Sequence, residues 1–190
     1  KMNAFTRVMM DEIIQAIDAN DADDSVRAVI FPGHGDRAFC AGADLDAARA
    51  GLATSPDWER LSSAIAGLPG LTIAALNGTL AGGAMGMALA CDLRIAVSGA
   101  SFFYPVIKHG YLPQPSDPRR LASLVGPAQA KLILLAGQKL TADEALNAGL
   151  IDKIVRDHSV MDHARGLCAA VAAADPDVAQ KIKAMCPSGW

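Results

Sequence analysis

Two glycine-bearing loops contain the residues of this sequence that are best suited to chemistry. The first covers residues 39–45 (FCAGADL) and the second covers residues 77–86 (NGTLAGGAMG). Small residues let the backbone approach a ligand closely, and a helix that begins in the second loop presents free N–H groups. Two such loops side by side could aim two N–H groups at one oxygen atom, which is an oxyanion hole. The alternative is that the glycines only permit tight turns and close packing.

Other patterns make weaker cases for a function. Residues 33–38 (GHGDRA) match the dinucleotide fingerprint G-x-G-x-x-A after a predicted strand, but extended residues follow instead of the helix that the fingerprint requires. His158 and His163 are five residues apart and would not share a helix face, so we expect no metal site there. Cys40 could be a nucleophile, although a packed thiol is the simpler interpretation.

Composition and charge exclude several classes of protein. The chain has 190 residues, 52% of them hydrophobic, and a formal net charge of −3. The length suggests one domain. The negative net charge gives no sign of the basic surface that binds nucleic acid. Residues 61–91 contain no charge, but Pro69 and Asn77-Gly78 interrupt them, so we expect a buried strand, a turn and a buried helix instead of a membrane span. The four cysteines form no CxxC pair, which favours a reducing, cytoplasmic compartment.

Hydrophobic periodicity predicts the elements that must position the two loops. We predict strands over residues 26–31, 71–76, 93–97 and 151–155. We predict helices over residues 6–20, 55–68, 82–90, 117–126, 141–149, 159–173 and 177–185, with a new helix starting at Pro127. Strands therefore alternate with helices at distances that need crossovers, which predicts an α/β fold with a largely parallel sheet and a helix-rich C-terminal part.

Four segments together resemble the crotonase, or enoyl-CoA hydratase/isomerase, superfamily: KMNAFT (1–6), AFCAGADL (38–45), NGTLAGGAMGMALACDLRIA (77–96) and GQKLTADEALNAGLIDKIV (137–155). Their order and spacing hold from Lys1 to about Ile182. The resemblance implies a crotonase-like ββα superhelix, with a core over residues 1–125 and a partial C-terminal helical region over residues 126–190. On this basis we expect the chain to lack the family's first strands and last helices.

The resemblance also implies a substrate and its binding site. An acyl-CoA thioester would place its carbonyl between the backbone N–H groups of Ala43 and Gly83, which would stabilise an enolate where water is excluded. The CoA part would lie against backbone at Met2, Ala4, Ala41, Ala43, Asp44, Leu45 and Gly83. Coenzyme A would enter only as part of the substrate, without a metal or another bound cofactor. The implied assembly is a homotrimer or a hexamer.

The sequence departs from this family at the positions of its two catalytic glutamates, where Gly86 and Val106 stand. Neither residue can transfer a proton, although hydration needs groups that deprotonate water and deliver a proton. Double-bond isomerisation in this family needs at least one carboxylate base, commonly at the second of these positions, where Val106 stands. Residues 113–117 (PQPSD) also replace the family's P-G-A-G-G, so glycines near the acyl pocket have become polar side chains and a proline.

Three functions follow from the intact loops and the missing glutamates. The first is an acyl-CoA enzyme of fatty acid metabolism, a lyase or an isomerase, whose proton-transfer group has moved to Asp117, with Gln114, His109 and Tyr104 in the same stretch of chain. Asp117 could instead cap the helix that starts at Pro118. The second is chemistry that needs the oxyanion hole alone, such as decarboxylation of a malonyl-type CoA ester. The third is a protein without catalysis, which binds acyl-CoA or serves as a subunit in a mixed oligomer.

Overall fold

A computed structural model describes residues 2–21, 23, 25–156 and 159–186. His158, whose spacing from His163 argues against a role as a metal ligand, lies outside the described residues. The same is true of Lys1 in the first family motif and of residues 187–190.

Two four-stranded sheets form the centre of the fold. The first sheet has the order β1 (Ala28–Pro32), β3 (Leu71–Leu76), β5 (Leu93–Val97) and β8 (Lys153–Val155), and all its pairings are parallel. The second has the order β2 (Ala38–Cys40), β4 (Thr79–Ala81), β6 (Ser101–Phe103) and β7 (Leu140–Thr141), and β7 alone is antiparallel. The predicted parallel α/β fold is confirmed. The second sheet was not predicted, because strands of two or three residues are too short to show an alternating pattern.

The helices surround these sheets. They are α1 (Arg7–Asp21), α2 (Leu45–Arg49), α3 (Asp57–Gly67), α4 (Met85–Ala90), α5 (Val106–His109), α6 (Asp117–Leu134), α7 (Ala142–Asn147), α8 (Val160–Ala172) and α9 (Pro176–Met185). Short 3-10 turns cover Leu52–Thr54 and Gly82–Ala84. The longer helices agree with the predicted ones to within a few residues, whereas α2 and α5 were not predicted.

Local chemistry explains where several helices begin and end. The Oγ1 atom of Thr6 accepts the N–H of Met9 at 3.3 Å, and Thr141 forms the expected capping box with Glu144. Within α6, Gly126 adopts a φ of 78°, and the chain resumes a helix at once with Pro127. The sequence predicted this stop and restart, because glycine tolerates positive φ and proline fits the first turn of a helix.

The uncharged residues 61–91 form the buried centre of the molecule. They contain the end of α3, all of β3 and all of α4, whose six residues are buried. In the part of the chain that the structure describes, no helix is long and apolar enough to cross a membrane. The expected buried strand, turn and buried helix are therefore confirmed.

Both sheets extend past the expected boundary at residue 126. Strand β7 pairs with β6, and strand β8 pairs with β5, so the later part of the chain completes sheets that the earlier part begins. The division into a core and a C-terminal helical region stays a prediction.

Candidate functional site

The two glycine-bearing loops lie against each other, because they contain the carboxyl ends of the paired parallel strands β2 and β4. A Cβ atom on Gly42 would lie 3.6 Å from the Cα of Gly82 and 3.8 Å from the nitrogen of Gly83. Gly42 also has a φ of 92°, which residues with side chains rarely adopt. Glycine at position 42 therefore allows this close approach. Ligands of parallel α/β sheets commonly bind at this end of the strands.

Ala43 and Gly83, whose backbone N–H groups form the predicted oxyanion hole, both lie at this close approach of the two loops. Phe5 forms a parallel bridge with Ala43, in which Phe5 donates to the carbonyl of Gly42 at 2.8 Å and Asp44 donates to the carbonyl of Phe5 at 2.8 Å. Since the flanking residues make these bonds, the N–H of Ala43 points away from Phe5. Gly83 lies in a 3-10 turn, whose first N–H groups have no acceptor within the turn.

The residues that are predicted to contact CoA also lie near one another. Residues 2–4 run beside the first loop, and the N–H of Ala41 donates to the carbonyl of Met2 at 3.1 Å. The side chain of Asp44 caps α2, and Leu45 is exposed at the start of that helix. The structure thus collects these residues on one side of the two loops, while their contact with CoA stays a prediction.

The carboxylate of Asp117 lies where a side chain at position 86 would be. A Cβ atom on Gly86 would lie 2.7 Å from Oδ1 and 3.0 Å from Oδ2 of Asp117. Gly86 follows Gly83 by one helical turn, and residues three apart lie on the same side of a helix. Asp117 is 0% exposed, and its Oδ1 atom has no hydrogen-bond partner among the described residues.

Three polar groups determine the electrostatics around Asp117. The hydroxyl of Tyr104 donates to Oδ2 at 2.7 Å, and the charges of Arg120 and Glu59 act on the carboxylate from α6 and α3. Burial raises the pKa of Asp117 to about 7, because the charged carboxylate loses hydration, although the hydrogen bond from Tyr104 and the charge of Arg120 oppose this shift. A carboxyl group with a pKa near neutrality can both take and release a proton.

The alternative role of Asp117 as a helix cap is wrong. Helix α6 begins at Asp117, its cap residue is Ser116, and no side-chain cap bond is formed. The backbone N–H of Ser116 donates to the carboxylate of Glu59 at 3.0 Å, and the Ser116 hydroxyl also donates to it. These bonds hold the start of α6 against α3, so the side chain of Asp117 points into the protein.

The other predicted polar residues lie in different places. The backbone N–H of Gln114 donates to the Tyr104 hydroxyl at 3.5 Å, so it is the main chain of Gln114 that belongs to this group. His109 lies at the exposed end of α5, where its ring stacks on Tyr111 with 5.9 Å between centroids. Cys40 is buried in β2, and burial raises the pKa of its thiol to about 12, which supports the packed-thiol interpretation.

Trp58 is a neighbour of the site that the sequence placed only on the apolar face of α3. A Cβ atom on Gly83 would lie 2.7 Å from the Trp58 ring, so glycine is required at this position. The ring stacks on Phe5 with 5.6 Å between centroids, and its Nε1 donates to the carbonyl of Leu52 at 2.9 Å. Trp58, Glu59 and Arg120 contact the site, but no local sequence pattern predicts these contacts, because the partners are far apart in sequence.

Two further findings concern ligands. Among the described residues, no group of three His, Cys, Asp or Glu side chains is placed to hold a metal ion. A cavity of about 1170 Å³ lies between α9 and the far end of α4, with Leu89, Arg120 and Lys183 in its wall. None of the predicted site residues lines this cavity, so we place the candidate site at the two loops.

The fold and the paired loops define a crotonase-like α/β protein with a buried carboxyl group against the helix that follows the second loop. The family model described as enoyl-CoA hydratase/isomerase matches residues 1–188, and the chain belongs to this family. A short-chain-enoyl-CoA hydratase of Clostridium acetobutylicum is 34% identical over 190 residues, which cover 95% of this chain and 70% of that protein. A carnitinyl-CoA dehydratase of Proteus mirabilis is 36% identical over 167 residues, which cover 85% of this chain and 63% of that protein.

Solved structures agree with the sequence comparison. The structure of DspI from Pseudomonas aeruginosa superimposes with a TM-score of 0.88 and 32% identity, covering 96% of this chain and 72% of that one. The chain thus spans about two thirds of the length of these proteins. Their names support an enzyme of hydratase/isomerase type that processes acyl-CoA, while they differ in the reaction that they specify.

Proposed function

We propose that this protein catalyses proton transfer on an acyl-CoA thioester, with Asp117 as the group that carries the proton. The observation behind the proposal is the contact between Gly86 and Asp117. By resemblance, position 86 is a glutamate in the hydratases, and here the Asp117 carboxylate lies within 2.7 Å of where that side chain would begin. A carboxylate from α6 thus lies where a side chain from α4 would begin.

The arrangement suits the formation and collapse of an enolate. The thioester oxygen would accept the N–H groups of Ala43 and Gly83, and Oδ1 of Asp117 would take a proton from the carbon α to the thioester carbonyl. The electron pair of the broken C–H bond would form a double bond to the carbonyl carbon, and the π pair of the carbonyl would move onto the thioester oxygen. Return of the proton to a different carbon of the same conjugated system would shift the double bond.

A single carboxyl group favours isomerisation over hydration. Hydration needs one group to deprotonate water and a group to deliver a proton, whereas a double-bond shift can use one group for both transfers. The second family position is Val106 at the start of α5, which has no titratable side chain. We therefore propose conversion of a 3-enoyl-CoA into a 2-enoyl-CoA, and we expect hydration of crotonyl-CoA to be slower.

Purified protein offers a direct test. Calorimetry with acetyl-CoA should show binding, and a 3-enoyl-CoA, crotonyl-CoA and methylmalonyl-CoA should be followed by mass spectrometry. Replacing Asp117 with Asn should lower kcat for the isomerisation by about 10²–10⁴-fold, as loss of a general acid–base group does. Asp18→Asn, at an exposed position of α1, is the matched control for loss of one charge. Undiminished turnover in Asp117→Asn would overturn the proposal, and binding without any turnover would favour the non-catalytic alternative.

A second experiment moves the carboxylate from position 117 to position 86. Gly86→Glu alone should fail, because its Cβ would meet the Asp117 carboxylate, and Asp117→Gly alone should fail because the carboxyl group is lost. The double variant restores a carboxylate on α4 and removes the obstruction. Turnover by the double variant above either single variant is expected, and an Asp117→Gly variant as active as the wild type would contradict the reasoning.

We also infer a homotrimer or hexamer from the family resemblance, and a cytoplasmic location from the cysteine pattern. Light scattering of the purified protein measures the first. A monomer at micromolar concentration would contradict it.

A further inference from the structure

Tyr104 is buried beside Asp117, and the proposed proton transfer gives its side chain no role. It is 2% exposed, and its hydroxyl is within 2.7 Å of Oδ2 of Asp117. A buried tyrosine hydroxyl needs a hydrogen-bond partner, and here it contacts both a carboxylate and the backbone N–H of Gln114. The chemistry of the groups determines which atom donates in each of these two hydrogen bonds.

The backbone N–H of Gln114 is a donor only, so the Tyr104 oxygen must accept from it. A hydroxyl has one proton, which leaves that proton for the bond to Asp117. Oδ2 of Asp117 is therefore an acceptor. While Tyr104 donates to Oδ2, a proton bound by Asp117 lies on Oδ1, which is the buried oxygen without a partner among the described residues and the one nearer Gly86.

We propose that Tyr104 is a positioning residue, which holds Oδ2 of Asp117 and confines the transferable proton to Oδ1. This inference rests on the proposed function, because it explains how one oxygen is kept for the substrate. Tyr104 acts from the loop after β6, while the bonds from Ser116 to Glu59 hold the start of α6 against α3. The carboxyl group is thus held both through its backbone and through one oxygen.

The groups that face Asp117 determine the direction of the pH effect. They are Tyr104 after β6, Arg120 one turn along α6, and Glu59 on α3. The hydrogen bond from Tyr104 and the charge of Arg120 favour the ionised carboxylate, and Glu59 opposes it. Loss of the Tyr104 hydroxyl should make Asp117 harder to ionise, so activity that needs the carboxylate should appear only at higher pH.

Replacing Tyr104 with Phe keeps the ring and removes the hydroxyl. We expect kcat to fall by about tenfold with little change in KM, and the acidic limb of the pH profile to move up by about one pH unit or more, as expected for one lost bond to a charged group. Tyr111→Phe is the matched control, because Tyr111 is the other tyrosine of the sequence and lies on the surface.

The outcomes separate this inference from the proposed function. If Asp117→Asn abolishes turnover but Tyr104→Phe has the kcat and pH profile of the wild type, Tyr104 has no positioning role and the proposed function stands. If turnover survives Asp117→Asn, both proposals fall. Unfolding across the same pH range gives a measurement without substrate. The pH-dependent part of the stability difference between Tyr104→Phe and Tyr104→Phe/Asp117→Asn should extend to higher pH than in the wild-type background, because its upper end follows the pKa of Asp117 in the folded protein. An unchanged upper end would also overturn the positioning role.

Discussion

Replacing Asp117 with Asn should stabilise the folded protein at alkaline pH. Burial raises the pKa of Asp117 from 3.8 to about 7 in the folded protein, so the folded state holds the proton more tightly than the unfolded chain does. Stability is therefore lost as pH rises from about 4 to about 7. A shift of about three pH units, at about 1.4 kcal/mol each, corresponds to about 4 kcal/mol. Asparagine avoids this cost, because it has no charge and can still accept the hydrogen bond from Tyr104.

Urea unfolding at fixed protein concentration, repeated between about pH 4 and about pH 8, measures this difference. The gain in free energy of unfolding for Asp117→Asn should approach about 4 kcal/mol at the alkaline end and vanish near pH 4. Asp18→Asn, at an exposed position, is the control for removal of one negative charge. A stability difference that is the same at every pH would refute the reasoning, because it would mean that Asp117 titrates alike in the folded and unfolded chains.

Three further predictions concern packing, capping and thiol reactivity. Gly83→Ala should impair turnover by displacing Trp58, whose ring would lie 2.7 Å from the new Cβ, and a near-ultraviolet spectrum and activity assay will detect this change. Thr141→Ala should lower the free energy of unfolding by about 1 kcal/mol through loss of the capping box, and an unchanged urea midpoint would contradict it. Cys186 is exposed whereas Cys40 is buried with a pKa raised to about 12, so Cys186→Ser should remove the fastest thiol reaction with an aromatic disulfide reagent.

Sequence periodicity predicted the parts of the fold whose signal is local. The runs 71–76 and 93–97 are β3 and β5 with the predicted bounds, because strands buried on both faces are rich in hydrophobic residues. The capping box at Thr141 and the break at Gly126 were predicted because each depends on neighbouring residues. The second sheet was not, since a strand as short as β2 is stable only through pairing with β4.

The sequence by itself determined the pair of glycine-bearing loops, the residues without a carboxylate at positions 86 and 106, and the family resemblance. It left Asp117 with two roles, because a helix cap and a buried acid have the same residue type at the start of a helix. Only the tertiary structure decided between them. Asp117 lies far from Gly86 along the chain, and its carboxylate reaches that glycine because α6 packs on α4 and Tyr104 holds one of its oxygens. Contacts between distant segments set both the burial of this carboxyl group and its ionisation, and no local pattern in the sequence contains them.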